Sequence, residues 1–79
     1  MRPPPADAQA AYYLTMLTTR WQELETEIVE RCTELRKLPP AARKSERGRN
    51  IRRLIKLRQT EVASVRAMCA ALVERADRG

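Results

Sequence analysis

The sequence predicts an all-α fold in which two long helices form an antiparallel, coiled-coil-like hairpin. Apolar residues recur at alternating spacings of three and four over two long stretches, the pattern of a helix with one apolar stripe. Good helix formers dominate, aromatic residues make up only 4% of the chain, and phenylalanine is absent. Pro39 and Pro40 separate the two stretches. The 79 residues allow one small domain.

The first helix is expected to span about residues 7–38, after a proline-rich flexible tail at residues 1–6. It ends before Pro39, because the residue that precedes a proline is disfavoured in the α conformation. Arg31 is the one charged residue on its stripe. The apolar members are Ala10, Leu14, Leu17, Trp21, Leu24, Ile28, Leu35 and Leu38.

The second helix is expected at about residues 46–77, after a connection at residues 39–45 in which Ser45 serves as the N-cap. If the chain reverses near residue 44, the two stripes face each other, with Trp21 opposite Cys69 and Leu24 opposite Val65. Arg58 again interrupts the stripe. The apolar members are Ile51, Ile55, Val62, Val65, Cys69, Leu72 and Ala76.

The same reversal brings Arg31 and Arg58 face to face, where two unpaired cations would be costly. Glu27 and Glu61 flank them and predict a buried ionic layer of four charges that sets the alignment of the helices. An anion site inside a helical bundle is the functional alternative for this layer.

The two cysteines, Cys32 and Cys69, are expected to be free thiols, because the register separates them by about 16 Å along the helix axis. Neither a secretory signal nor a long apolar run is recognisable in the sequence. We therefore expect a cytoplasmic protein that is not associated with a membrane.

Apolar residues also lie outside the two stripes, more than a two-helix hairpin can cover. They predict an interface, which either completes a homodimeric four-helix bundle or docks on a helical partner. The predicted interface residues are Leu54, Leu57, Met68, Val73, Tyr13 and Met16.

The residue types argue against most enzyme chemistry. The chain has no histidine, the most common general acid-base group and metal ligand, and the acids and cysteines show no ligand spacing. No glycine-rich phosphate loop is present, and neither a metal, a cofactor nor a small-molecule substrate is expected. A remote alternative is an enzyme that binds an anionic substrate with interior arginines, as the helical-bundle chorismate mutases do. The spacing of the basic residues does not follow that family's pattern.

The positive charge is concentrated around the connection. The segment from Arg36 to Arg58, ends included, contains ten Lys or Arg and one acid. It therefore carries +9, while the rest of the chain sums to −3 and gives the net charge of +6. Phosphates are the commonest polyanions that such a surface meets, which predicts nucleic-acid binding without strong sequence readout. The alternative is an assembly or adaptor subunit that binds an acidic protein. The predicted basic surface comprises Arg43, Lys44, Arg47, Arg49, Arg52, Arg53 and Lys56.

The predicted architecture resembles that of the plasmid Rop regulators, dimeric helical hairpins that bind RNA. The resemblance is one of architecture alone, because no sequence motif is shared. It implies that a basic helical hairpin can bind RNA as a dimer.

Overall fold

The structure, a computed structural model, describes residues 6–78 and confirms the helical hairpin. Two long helices, α1 (Ala6–Lys37) and α3 (Glu46–Arg78), pack against each other and are joined by the four-residue helix α2 (Pro40–Arg43). Four of the described residues are not helical, and none of them lies in a strand. Residues 1–5 of the predicted tail lie outside the described residues.

The helix bounds agree with the predicted ones to within one residue at each described end, while α2 adds a helical turn inside the connection. Pro39 has φ −57° and ψ 154°, an extended conformation that separates α1 from α2. Pro40 opens α2 at a position where the missing N–H of proline costs nothing and its fixed φ suits the helix. Pro39 therefore ends one helix and Pro40 begins the next.

The core is a single layer between α1 and α3. Leu24 is fully buried and packs with Val62, Val65 and Cys69. The expected facing pairs, Leu24 with Val65 and Trp21 with Cys69, lie in this cluster. Four half-buried α1 residues pack against it, namely Leu14, Leu17, Trp21 and Ile28.

The molecule is a rod of about 60 × 23 × 15 Å. Its radius of gyration is 17.9 Å, whereas a compact domain of this length would have about 12 Å. Because only one apolar layer joins the helices, most of each helix surface is exposed.

Gly48 lies buried in the first turn of α3, directly against the end of α2. A Cβ atom at this position would lie 2.0 Å from the carbonyl oxygen of Arg43 and 2.5 Å from its carbonyl carbon. Both are backbone atoms, so neither can rotate away as a flexible side chain would. The absence of a side chain at Gly48 allows the connection to pack closely on α3.

Ser45 stands where an N-cap was predicted, but its side chain acts differently. Its carbonyl accepts the N–H of Arg49 at 3.1 Å, so α3 begins directly after it. Its hydroxyl donates to the carbonyl of Ala42 rather than accepting an N–H of α3. The predicted capping bond is wrong, because the hydroxyl satisfies a carbonyl at the end of α2 instead.

Cys32 is half-buried and Cys69 is buried, and both are free thiols, as expected. Neither long helix of residues 6–78 has a stretch apolar enough to cross a membrane.

We predict that Gly48→Ala destabilises the hairpin by up to about 2 kcal/mol. Forcing a methyl group into a packed site costs about 1–3 kcal/mol, which exceeds the gain of up to about 1 kcal/mol in helix propensity. Thermal and urea unfolding followed by circular dichroism measures the effect. Asn50→Ala is the matched control, because Asn50 is exposed in the same turn and alanine there should stabilise α3 slightly. Equal stabilisation by both substitutions would contradict the close contact.

Candidate nucleic-acid interface

The basic surface lies at the closed end of the rod, where α1 passes into α2 and α3. Four of its members, Arg49, Arg52, Arg53 and Lys56, follow one another in the first three turns of α3 at spacings of three, one and three. Helical residues at such spacings share one face. The helix therefore presents these four cations on one side.

Three arginines of the basic surface hold the connection together. The Arg43 Nε donates to the carbonyl of Leu38 at 2.9 Å, and the Arg52 Nη1 donates to the carbonyl of Arg43 at 2.9 Å. The Arg49 Nη1 donates to the carbonyl of Lys44 at 3.0 Å. Carbonyls at helix C-termini lack intrahelical partners, and cationic donors are well suited to satisfy them. These three side chains therefore have a structural role that the sequence analysis did not assign.

Among the described contacts, the side chains of the other four members of the basic surface make no hydrogen bond to the connection. The Arg47 side chain is 68% exposed and lies 3.8 Å, from Nη2 to Oε1, from Glu34 of α1. The remaining three are exposed and make no ion pair within the described part of the chain. We call them the outer cations: Lys44, Arg53 and Lys56.

Two further cations lie at the same end and were left out of the predicted surface. Arg36 and Lys37 are exposed in the last turn of α1, where positive charge also favours the helix dipole. The concentration of positive charge in the sequence indicates both residues, because they are two of the ten cations from residue 36 to residue 58.

An ion cluster of four residues, Arg20, Glu27, Arg58 and Glu61, lies along one side of the helix pair. The Arg58 Nε lies 3.0 Å from the Glu27 Oε1, and Arg58 also pairs with Glu61 one turn further along α3. The Arg20 Nη2 donates to the Glu61 Oε2 at 3.0 Å. Hydrogen bonds from Arg20 and Arg58 lower the pKa of Glu61, and the nearby carboxylates of Glu27 and Glu61 raise the pKa of Arg58.

The ion cluster corrects the predicted buried ionic layer of Glu27, Arg31, Arg58 and Glu61. Arg31 pairs with Glu34 on its own helix at 3.3 Å, and Arg20 occupies the place beside Glu61. None of the predicted four is buried, since their side chains are 28–38% exposed. Long arginine side chains reach from the apolar stripe to its edge, where the charges keep part of their hydration.

The six predicted interface residues are all exposed, by 37–55%. Tyr13, Met16 and Met68 line a groove between α1 and α3 near the open end, together with Leu17, Ala71, Leu72 and Arg75. We call it the tyrosine groove. Leu54 and Leu57 lie on α3 between the ion cluster and the closed end.

Val73 lines a different groove from Met68. This tryptophan groove is formed around Trp21, whose Nε1 donates to the Glu25 Oε1 at 3.2 Å. The Arg66 guanidinium lies 5.7 Å from the centre of the indole ring and covers part of it, a cation–π arrangement. The other lining residues are Ala63, Ala67, Cys69 and Ala70.

Comparisons of the chain with protein-family models, curated proteins and solved structures find no match. Within residues 6–78, no three metal-ligating side chains lie close enough to hold an ion. The surfaces described above are a group of cations at the closed end and two grooves along the sides, one around Tyr13 and one around Trp21.

We predict that Glu61 adds a pH-dependent part to stability. Its folded pKa lies below the unfolded value of about 4.3, so its contribution is complete above that pH and is lost as the pH falls through the folded pKa. Glu61→Gln should therefore be less stable than the wild type at neutral pH, and the difference should shrink in acid. Urea unfolding between about pH 6 and pH 3 measures this.

Glu74→Gln provides the control, because Glu74 pairs only with its exposed neighbour Arg78 in the described chain. Its stability difference from the wild type should be small at every pH, as exposed pairs contribute little. A constant difference between Glu61→Gln and the wild type across the pH range would contradict the predicted linkage.

Proposed function

We propose that the protein is a non-enzymatic helical binding module whose closed end contacts nucleic-acid phosphates without strong sequence readout. The supporting observation is the separation of charge along the rod. The segment from Arg36 to Arg58 carries +9, while the rest of the chain sums to −3. Surfaces of ordinary helical pairs mix both signs, so a cationic end of this kind suits a polyanion.

The outer cations, with Arg36 and Lys37, are the side chains most available for phosphates, because they make no ion pair within residues 6–78. Arg49 and Arg52 can take part as well. Each is exposed and donates one side-chain hydrogen bond to a carbonyl, and a guanidinium carries five N–H donors. Their remaining donors are held in place by the bond to the connection, so less conformational freedom is lost on binding.

Weak sequence readout follows from the residue types at the closed end. Its cations bind phosphate oxygens, which are the same for every base. The aromatic residues Tyr12, Tyr13 and Trp21 all lie in the first half of α1, far from the closed end, so no base can stack on a ring there. Duplex DNA and RNA are therefore favoured over single strands.

We also propose that the working form is a homodimeric four-helix bundle. The tyrosine groove supports this, since apolar atoms dominate its lining and no other part of the described chain covers it. An assembly or adaptor subunit is the second candidate function. The tryptophan groove favours it, because a helical partner with small apolar residues would fit beside Trp21 and Val73.

The nucleic-acid function predicts a steep salt dependence. If about six phosphates are contacted, log affinity for duplex DNA should fall with log salt at a slope near −5. Arg53→Gln with Lys56→Gln should reduce this slope by about 2, because each lost phosphate contact releases about one ion fewer. Fluorescence anisotropy with duplex DNA, duplex RNA and single strands between about 50 and 200 mM salt measures it.

The matched control is Arg75→Gln with Arg78→Gln, which removes the same charge at the open end. The rod is about 60 Å long, several times the screening length of about 10 Å at 0.1 M salt. At concentrations at which the chain is monomeric, the control should therefore leave the slope unchanged. In an antiparallel dimer the open end of one chain would lie beside the closed end of the other. Equal effects of the two double variants would mean that only net charge matters. Absence of binding at low salt would refute the nucleic-acid function and leave the adaptor.

A further inference from the structure

α3 has a second stripe on one flank, beside the core and facing the edge of α1. Its members follow one another at spacings of three, four, three, four and three, the pattern that lets two helices pack side by side. Its large apolar side chains are 37–52% exposed. The second stripe consists of Leu54, Leu57, Glu61, Ser64, Met68 and Ala71.

The second stripe continues into the tyrosine groove, since Met68 and Ala71 belong to both. Tyr13 and Met16 of α1 widen it at the open end, where their side chains are 55% and 51% exposed. Glu61 lies at its middle and is already paired with Arg20 and Arg58, so its charge is balanced within the chain. The stripe is thus apolar at both ends and polar, with balanced charge, at its centre.

The surface area of the chain leaves room for such an interface. The chain exposes 6425 Å², whereas a folded monomer of this mass exposes about 4,900 Å². The excess of about 1,500 Å² exceeds the roughly 800 Å² that each partner buries in a standard interface. The elongated shape accounts for much of this excess, and the exposed apolar side chains of the second stripe mark part of it as a contact surface.

We infer that two copies of the chain pair through their second stripes in antiparallel orientation. The stripe has the same spacing in both directions about a point between Glu61 and Ser64, so a two-fold axis there makes it complementary to itself. Leu57 then packs against the partner's Met68, and Leu54 against the partner's Ala71. The hydroxyl of Ser64 faces the partner's Glu61 and can donate to it.

A parallel pair is disfavoured by the hydrogen bonding at its centre. It would place the carboxylate of Glu61 against that of the partner's Glu61, where neither group can donate a hydrogen bond to the other. It would also leave Ser64 against the partner's Ser64, without the carboxylate acceptor. The antiparallel pair avoids both.

The antiparallel pair places the two closed ends at opposite ends of the dimer. α3 has 33 residues and is therefore about 50 Å long at 1.5 Å per residue. If the closed end binds nucleic acid as proposed, one dimer can hold two separate segments. The pairing itself does not depend on that function, and its test uses no nucleic acid.

A charge-exchange experiment tests the pairing. Leu57→Lys and Met68→Glu should each raise the dimer dissociation constant on the order of 100-fold, because each places a charge in an apolar contact twice per dimer. The double variant should return to within about 10-fold of the wild type, because each lysine then meets the partner's glutamate. Analytical ultracentrifugation and circular dichroism measure association and helix content.

The rescue cannot arise within one chain. Positions 57 and 68 are 11 residues apart on α3, about 16 Å along the axis, too far for an ion pair. Val73→Glu is the control, since Val73 lies in the tryptophan groove and should leave the dimer intact. If the single variants lose helix content as well, the double variant should recover both helix content and the dimer.

Three results would overturn the inference. A wild-type chain that is helical and monomeric at high micromolar concentration would show that no second copy covers the stripe. A dimer that is lost in both single variants and not recovered in the double variant would exclude the antiparallel pairing while leaving another dimer possible. Dissociation by Val73→Glu would place the interface on the other side of the rod.

Discussion

The reversal of the chain depends on how closely α2 approaches α3. At Gly48 the backbone of α3 comes so near to the carbonyl of Arg43 that a Cβ atom has no room. This contact fixes where α3 begins relative to the end of α1, and with it which residues of the two apolar stripes meet. Leu24, Val62, Val65 and Cys69 form the core because the connection positions the helices in this alignment.

Arginine side chains complete the same connection. Two helices end within a few residues of each other, and their last carbonyls need donors. Arg43, Arg49 and Arg52 supply them from their side chains. A cationic end thus has a structural cause as well as a proposed binding role, and the two are compatible because a guanidinium has more donors than the connection uses. No side-chain hydrogen bond to the connection is made by Lys44, Arg53 or Lys56 among the described contacts. These three residues are therefore the clearest candidates for a binding role.

The charged residues along the helix pair lie at the edge of the apolar core rather than inside it. Arg58 reaches out of the apolar stripe to Glu27 and Glu61, and Arg20 joins from α1. Full burial of such a group would require costly desolvation, whereas an edge position keeps part of the hydration while gaining the ion pair. The charges consequently separate the apolar surface on this side into two parts, the tyrosine groove and the pair Leu54 and Leu57. This separation underlies the symmetry of the second stripe.

The sequence by itself determined the helices, their ends and the pairing of their stripes, because these follow from local rules. The spacing of apolar residues specifies a helical stripe, and Pro39 with Pro40 specifies where the first helix stops. The location of the positive charge is equally a property of the sequence. Trp21 with Cys69 and Leu24 with Val65 were predictable because two regular stripes joined by a short connection have few ways to meet.

Only the tertiary structure decided which individual polar side chains serve which purpose. A long arginine side chain can reach several carboxylates, and sequence spacing does not show which of them it pairs with. Arg31 pairs with Glu34. Arg20 pairs with Glu61, which lies 41 positions away in the sequence. Val73 and Met68 line different grooves, because residues five positions apart lie on different faces of a helix. The difference becomes visible only in the tertiary structure, where α1 packs between the two grooves. Local periodicity therefore determines the helical scaffold. The candidate binding surfaces depend on which side chains can reach each other in the folded chain.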